Sequence, residues 1–131
     1  MVPISNDHVT LAIAVLTFRR QDELAALIPL LLDQADSVAH DADAYVLVVD
    51  NDPGRSAEVV VSDYGDDRVV YAHEPEPGIA TARNRALQQA HDADLLVFID
   101  DDEIPAADWL ANLLTTYGEY QSVGVVGNVL R

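Results

Sequence analysis

Cysteine and lysine are both absent from the 131-residue sequence. Without cysteine, the protein has no disulfides, no thiolate zinc site and no cysteine nucleophile. The sequence also lacks an apolar run long enough to span a bilayer, and its N-terminal stretch lacks the basic flank of a signal peptide. We therefore expect a cytoplasmic protein without a transmembrane segment, with peripheral attachment at the inner face of the membrane as the alternative.

Positive charge is scarce. The chain has 7 basic residues, all of them arginine, against 23 acidic residues, which gives a formal net charge of -16. Such a surface repels nucleic acid, so we expect no nucleic-acid partner. The acidity by itself indicates no function, because adaptation to high salt or a GC-rich genome produces the same composition.

Hydrophobic residues make up 50% of the sequence, enough for the core of a single domain over residues 1–131. Apolar runs of strand length alternate with segments of helical period. This alternation predicts an α/β fold with three α/β/α layers and a mostly parallel sheet. The predicted strands cover 9–17, 45–49, 69–72, 95–99 and 123–129, and the predicted helices cover about 21–37, 56–64, 79–90 and 105–117.

Three consecutive aspartates follow the fourth predicted strand. Side chains alternate along an extended chain, so Asp100 and Asp102 point to one side and Asp101 to the other. Two carboxylates that share a cavity repel each other unless one is protonated or a cation lies between them. Carboxylate oxygens are preferred ligands of hard divalent ions, and the triplet therefore predicts a Mg²⁺ or Mn²⁺ site at Asp100 and Asp102.

Most of the arginines lie in two places, after the first strand and in the first turns of the helix that begins at residue 79. Arg83 shares a helical face with Ile79 and Leu87, so we expect its guanidinium to point inward. Two roles remain open for it: an internal ion pair with Asp50 or Asp100, and a contact to an anionic ligand. The clustered residues are Arg19, Arg20, Arg83 and Arg85.

Gly78 precedes the helix that carries Arg83, and the first N–H groups of that helix are free to bind an anion. Ligands of open parallel sheets bind beyond the carboxyl ends of the strands, where these groups also lie. A diphosphate would be repelled by the surrounding acid unless a cation were bound at the aspartates. The pattern therefore predicts a metal-dependent site for an anionic ligand.

Four segments together resemble family 2 glycosyltransferases of the GT-A fold. Residues 98–103, Phe-Ile-Asp-Asp-Asp-Glu, look like the DxD motif of that family. Residues 78–84 resemble the loop and helix before that motif, and residues 15–20 and 48–51 resemble the ends of the first two strands. The resemblance covers nearly the whole chain and implies the nucleotide-sugar-binding, N-terminal part of a longer GT-A domain.

The resemblance also implies roles for individual residues. Thr17 and its neighbours would line the base pocket, Asp50 would contact the base or ribose, and Arg83 would help to hold the nucleotide. Asp100 would lie near the ribose or the metal, and Asp102 would ligate the ion that bridges the diphosphate. The implied nucleotide-sugar site is Thr17, Phe18, Arg19, Asp50, Gly78, Arg83, Asp100 and Asp101, and the implied metal ligands are Asp100 and Asp102.

The implied reaction is transfer of a sugar from a nucleoside diphosphate donor to a glycan, a lipid-linked or another acceptor, with inversion at the anomeric carbon. In the family the catalytic base comes from the later half of the fold, outside this chain. Two alternatives stay open: a nucleotidyltransferase-like enzyme, although the basic glycine-rich loop after strand one is missing, and a non-catalytic nucleotide-binding module. The strand predicted at 123–129 could also pair two copies of the chain.

Overall fold

The computed structural model of the chain describes the backbone of residues 9–120 and the side chains of residues 9–117. The described strands are all parallel and form one sheet in the order β3-β2-β1-β4. The strands are β1 (Val9–Thr17), β2 (Ala42–Asp50), β3 (Val69–His73) and β4 (Leu95–Asp100), and the helices are α1 (Gln21–Ser37), α2 (Glu58–Tyr64), α3 (Ile79–Gln89) and α4 (Trp109–Tyr120). The predicted α/β fold is confirmed.

The predicted strand at 123–129, and the pairing of two copies through it, lie outside the described residues. No helix in the part of the chain that the structure describes is both long and apolar enough to cross a bilayer.

The first face of the sheet packs against α1, α2 and α4. Its core is rich in large aliphatic side chains because all three helices present leucine, valine or tryptophan to it. Burying a side chain of this size stabilises a fold by about 1.5–3 kcal/mol, so most of the hydrophobic stabilisation lies here. Fully buried examples are Leu11, Ile13, Leu24, Ile28, Leu31 and Leu110.

The second face packs against α3 and is lined mainly by small residues. Ala82 and Ala86 of α3, four residues apart on one side of the helix, are buried against Ala12 and Ala14 of β1. Small side chains let the backbone of α3 approach the sheet closely. They also bury little area, so this face contributes less to stability than the first.

The last helix was predicted to begin at Pro105. This prediction was wrong, because α4 begins at Trp109. The side-chain amide of Gln34 in α1 donates to the carbonyl oxygens of Ala106 and Ala107 at 2.7 and 3.2 Å. Its oxygen accepts the Leu110 amide at 3.0 Å. These hydrogen bonds hold residues 106–107 outside the helix, since their carbonyl groups are bound by α1.

Candidate functional site

Parallel pairing brings the carboxyl ends of the strands to one edge of the sheet. Thr17 lies opposite Asp50, which in turn lies opposite His73, and Leu16 lies opposite Asp100 on the other side of β1. The residues predicted from strand ends therefore do meet at one edge. Alternation along each strand then divides them: Thr17 and Asp50 follow the first face, whereas Asp100 follows the second.

Asp50 is fully buried. One of its oxygens accepts the Asp52 amide at 3.1 Å, and the other accepts the Ala57 amide at 2.9 Å and the Tyr71 hydroxyl at 2.8 Å. Burial, followed by the hydrogen bond to Asp50, raises the pKa of Tyr71 well above its usual value, so this hydroxyl stays a donor. Contact between Asp50 and a nucleotide stays a prediction. Within the protein itself, Asp50 holds the loop that follows β2.

Asp52 was not singled out from the sequence, yet it is 3% exposed and fully hydrogen-bonded. One carboxylate oxygen accepts the Gly54 amide and the Arg19 Nε, both at 3.1 Å, and the other accepts the Ser56 amide at 3.2 Å. The bond from Gly54, followed by that from Ser56, lowers the pKa of Asp52 to about 2. An aspartate two residues before a glycine is a turn signal that could have indicated this role.

Arg19 and Phe18 form the open rim at the end of β1. Arg19 has a φ of 54°, a left-handed conformation that is uncommon for residues other than glycine, and its ion pair with Asp52 holds it there. Its guanidinium lies 5.0 Å from the centre of the Phe18 ring, which is 49% exposed. Both side chains are accessible to a ligand at this edge.

Asp101 turns inward and links the end of β4 to the end of β1. It accepts the Thr17 hydroxyl at 2.9 Å and lies 3.6 Å from the Arg20 guanidinium. Burial raises the pKa of Asp101, while the Thr17 hydrogen bond and Arg20 act in the opposite direction. Thr17 and Asp101, both predicted to face the nucleotide, are thus bonded to each other within the protein.

Asp100 and Asp102 are both exposed, whereas Asp101 is buried. This pattern of exposure is consistent with the alternation predicted for the triplet, although Asp101 and Asp102 lie in the turn after β4. The Asp100 amide donates to the Glu103 carboxylate at 3.0 Å, which closes the turn after β4. In the described residues no group of three or more acidic or histidine side chains is arranged to hold a metal ion. A cation at Asp100 and Asp102 would therefore take its remaining ligands from phosphate or water, and it stays a prediction.

The prediction that the Arg83 guanidinium points inward was wrong, and the internal ion pair with Asp50 or Asp100 was only one of the two roles left open for it. Arg83 is exposed, and Ile79 and Leu87 on the same side of α3 are 70% and 45% exposed. None of the ion pairs among the described residues involves Arg83. Ala82 and Ala86, and not the larger apolar residues, are the side chains of α3 that are buried against the sheet.

The Arg83 guanidinium instead lies 5.4 Å from the centre of the Phe98 ring. Phe98 and Asp100 point to the same face of the sheet, two residues apart on β4. Arg83 is therefore a cation without an anionic partner in the described part of the chain, on the face where Asp100 is exposed. The other open role predicted for it, a contact to an anionic ligand, is consistent with this position.

A groove of about 570 Å³ lies at the opposite, amino end of the sheet, beside β2 and β3. Its main charged group, Arg68, is already bound to Asp36 at 2.8 Å and to Asp66 at 3.2 Å. Ligands of open parallel sheets bind at the other end of the strands. We therefore place the candidate site at the carboxyl edge and not in this groove.

Comparison with known proteins identifies the family of the chain. Residues 12–131 match the family described as "Glycosyl transferase family 2". The chain is 35% identical over 127 residues to "Succinoglycan biosynthesis protein ExoM" of Rhizobium meliloti (strain 1021), an alignment that covers 95% of this chain and 40% of that relative. The match to the family model extends over most of the chain, including all four strands except the first residues of β1. The chain belongs to glycosyl transferase family 2.

Proposed function

We propose that this chain is the donor-binding part of a glycosyltransferase and binds a nucleoside diphosphate sugar through a divalent cation. The observation that carries the proposal is the presence of exposed side chains of opposite charge on the second face of the sheet. Asp100 and Asp102 are exposed at the end of β4, and the unpartnered Arg83 lies on the same face over Phe98. A cation at the aspartates, with Arg83 nearby, would complement a diphosphate that the acidic surface otherwise repels.

Asp100 and Asp102 would hold Mn²⁺ or Mg²⁺, and the phosphates would supply further ligands. Magnesium sites commonly use one or two carboxylates together with substrate phosphates, and the exposed pair fits that pattern. When bound, the cation would stabilise the negative charge that develops on the leaving nucleoside diphosphate.

The nucleoside would lie nearer to β1 and β2. Phe18 and Arg19 offer an exposed aromatic ring and a cation at the rim, and Gly78 directly precedes α3, whose first N–H groups would contribute at the same edge. Thr17, Asp50 and Asp101 would shape the pocket beneath, since each is already hydrogen-bonded within the protein. In this proposal they act mainly by fixing the loops that contact the nucleotide.

The acceptor and the catalytic base belong to the whole protein, because this chain spans only about 40% of the length of the curated relative that it matches. That relative takes part in succinoglycan biosynthesis by its name, so we propose a growing glycan, free or lipid-linked, as the acceptor class. Inversion at the anomeric carbon and a cytoplasmic location are part of the same proposal. The family match favours glycosyl transfer over the nucleotidyl transfer alternative.

Calorimetry with UDP, GDP, ADP and CDP, each with and without Mn²⁺, tests the proposal. We expect one diphosphate to bind only when Mn²⁺ is present. Asp102→Ala should weaken that binding by about 10–100-fold, because one of two protein ligands is lost. Asp63→Ala, which removes an exposed aspartate from α2 and changes the net charge equally, is the matched control. Binding that is equal with and without Mn²⁺, in wild type and both variants, would contradict the proposal.

A further inference from the structure

A single side chain at the end of β2 fixes the loop that leads into α3. Asn51 follows Asp50, and its side-chain amide donates to the carbonyl oxygens of Glu74 and Glu76, each at 2.9 Å. The oxygen of the same amide accepts the backbone N–H of Gly78 at 3.1 Å. Both N–H groups and the oxygen of the side chain are thus used, on three backbone groups spread over residues 74–78.

The direction of the amide is determined by its partners. If the nitrogen and oxygen of Asn51 were exchanged, the oxygen would face two carbonyl oxygens, and the nitrogen would face an N–H group. Only one orientation satisfies all three bonds. An aspartate at this position has the same shape but no N–H groups, so it could not donate to the two carbonyl oxygens.

The loop between β3 and α3 is also held at its first residue, where the Glu74 amide donates to the Asp50 carbonyl oxygen at 2.9 Å and the Glu74 carboxylate pairs with Arg85 at 3.2 Å. Two prolines lie within residues 74–78, and Gly78 has a φ of 129°, a conformation that only glycine adopts readily. The Thr81 hydroxyl lies within hydrogen-bond distance of the Glu76 and Gly78 carbonyl oxygens, at 2.8 and 2.9 Å, inside the loop itself. Asn51 is the side chain that ties this loop to the end of β2.

The position of α3 depends on this tie as well as on packing and on the ion pair between Arg85 and Glu74. The side chains that α3 buries against the sheet are the alanines Ala82 and Ala86, and small residues provide little interlocking that would resist sliding or tilting of a helix. Arg83 follows one turn after Gly78, so a displacement at the start of α3 also displaces its guanidinium.

We propose that Asn51 is a positioning residue for the diphosphate of the donor. It fixes the first N–H groups of α3 and the Arg83 side chain relative to the end of β2, without contacting the phosphates itself. This inference rests on the proposed nucleotide-sugar function. It assigns to Asn51 an effect on the phosphate part of the ligand and not on the nucleoside.

The test compares wild type with Asn51→Asp and uses Asn112→Asp as the matched control, an identical change on α4 far from the loop. Affinities are measured by calorimetry in Mn²⁺ for the tightest-binding nucleoside diphosphate of the UDP, GDP, ADP and CDP panel, and by NMR titration for its nucleoside. We expect Asn51→Asp to weaken the diphosphate at least about ten-fold and to change the nucleoside affinity less than about two-fold. Asn112→Asp should change neither.

Amide hydrogen exchange supplies a readout that needs no ligand. In Asn51→Asp the amides of Gly78 and Ala82, which are hydrogen-bonded in wild type, should exchange faster, while those of α4 should not change. If exchange rises but wild type binds no nucleoside diphosphate, the proposed function is wrong and the structural tie stands. If wild type binds and Asn51→Asp changes neither the diphosphate affinity nor the exchange, the positioning role is overturned. Equal weakening of diphosphate and nucleoside would also overturn it.

Discussion

The first face of the sheet is filled by leucine, isoleucine and valine beneath three helices, whereas the second face is filled mainly by alanine beneath α3 alone among the described elements. At the carboxyl edge the same division continues. Thr17, Asp50 and Asp101 on the first face are buried and bonded within the protein, while Asp100 and Arg83 on the second face are exposed. The first face therefore supplies most of the stability of the fold, whereas the second face carries charged groups that are free to contact a ligand.

The largest expected effect comes from removing a large side chain on the first face. Leu31→Ala creates a cavity at a fully buried position of α1 and should lower the free energy of unfolding by about 2–5 kcal/mol. Leu87→Ala, at an exposed position of α3 on the second face, should change it by less than about 0.5 kcal/mol. Urea unfolding followed by circular dichroism measures both. Similar losses of unfolding free energy in the two variants would contradict the conclusion that the first face supplies most of the stability.

A smaller effect is expected from enlarging a side chain on the second face. Ala86 is fully buried between α3 and the sheet, so Ala86→Leu should cost about 1–3 kcal/mol of unfolding free energy because the helix must move outward. The same displacement should weaken Mn²⁺-dependent binding of the nucleoside diphosphate, since Arg83 moves with the helix. Gln88→Leu, exposed on the same helix, is the control for both measurements. An Ala86→Leu variant as stable as wild type would show that the space between α3 and the sheet can hold a larger side chain.

The smallest effect concerns Asp101, the buried member of the triplet. Burial raises the pKa of Asp101 above its ordinary value of 3.8, so the folded state binds this proton more tightly than the unfolded state does. The associated stabilisation is complete below pH 3.8 and is lost as pH rises through the folded-state pKa. Asp101→Asn keeps an acceptor for the Thr17 hydroxyl and carries no charge to bury. We expect it to be more stable than wild type at pH 7 by about 1 kcal/mol or less.

Thermal unfolding between pH 3 and pH 8 measures this difference. The gap between Asp101→Asn and wild type should close as pH falls, while Asp102→Asn, at the exposed position, should follow the wild-type profile in this respect. The ion pair with Arg20 offsets little of the gain, because the Arg20 side chain is 50% exposed and the pair is separated by 3.6 Å. Destabilisation by Asp101→Asn at pH 7 would contradict the assignment of burial as the dominant influence on this carboxyl.

Much of the fold follows from local pattern. β1 is predicted over its full length because a run of nine mostly apolar residues must be buried on both sides, and α1 spans the predicted residues because its leucines recur at helical spacing. The place of the aspartate triplet at the end of β4 and the alternation within it are also local properties. Parallel order then brings those strand ends together.

The alternation of strands and helices and the acidity of the chain follow from the sequence alone, as does the prediction that an anionic ligand binds at the carboxyl edge with the help of a cation. Which polar groups remain free is set by the fold, because that depends on partners distant in sequence. Arg83 faces outward because Ala82 and Ala86 are the residues of α3 that are buried against the sheet. The side chains of Asn51, Asp52 and Asp101 form hydrogen bonds with partners 23–84 residues away or within their own turns, and no periodic pattern predicts such contacts.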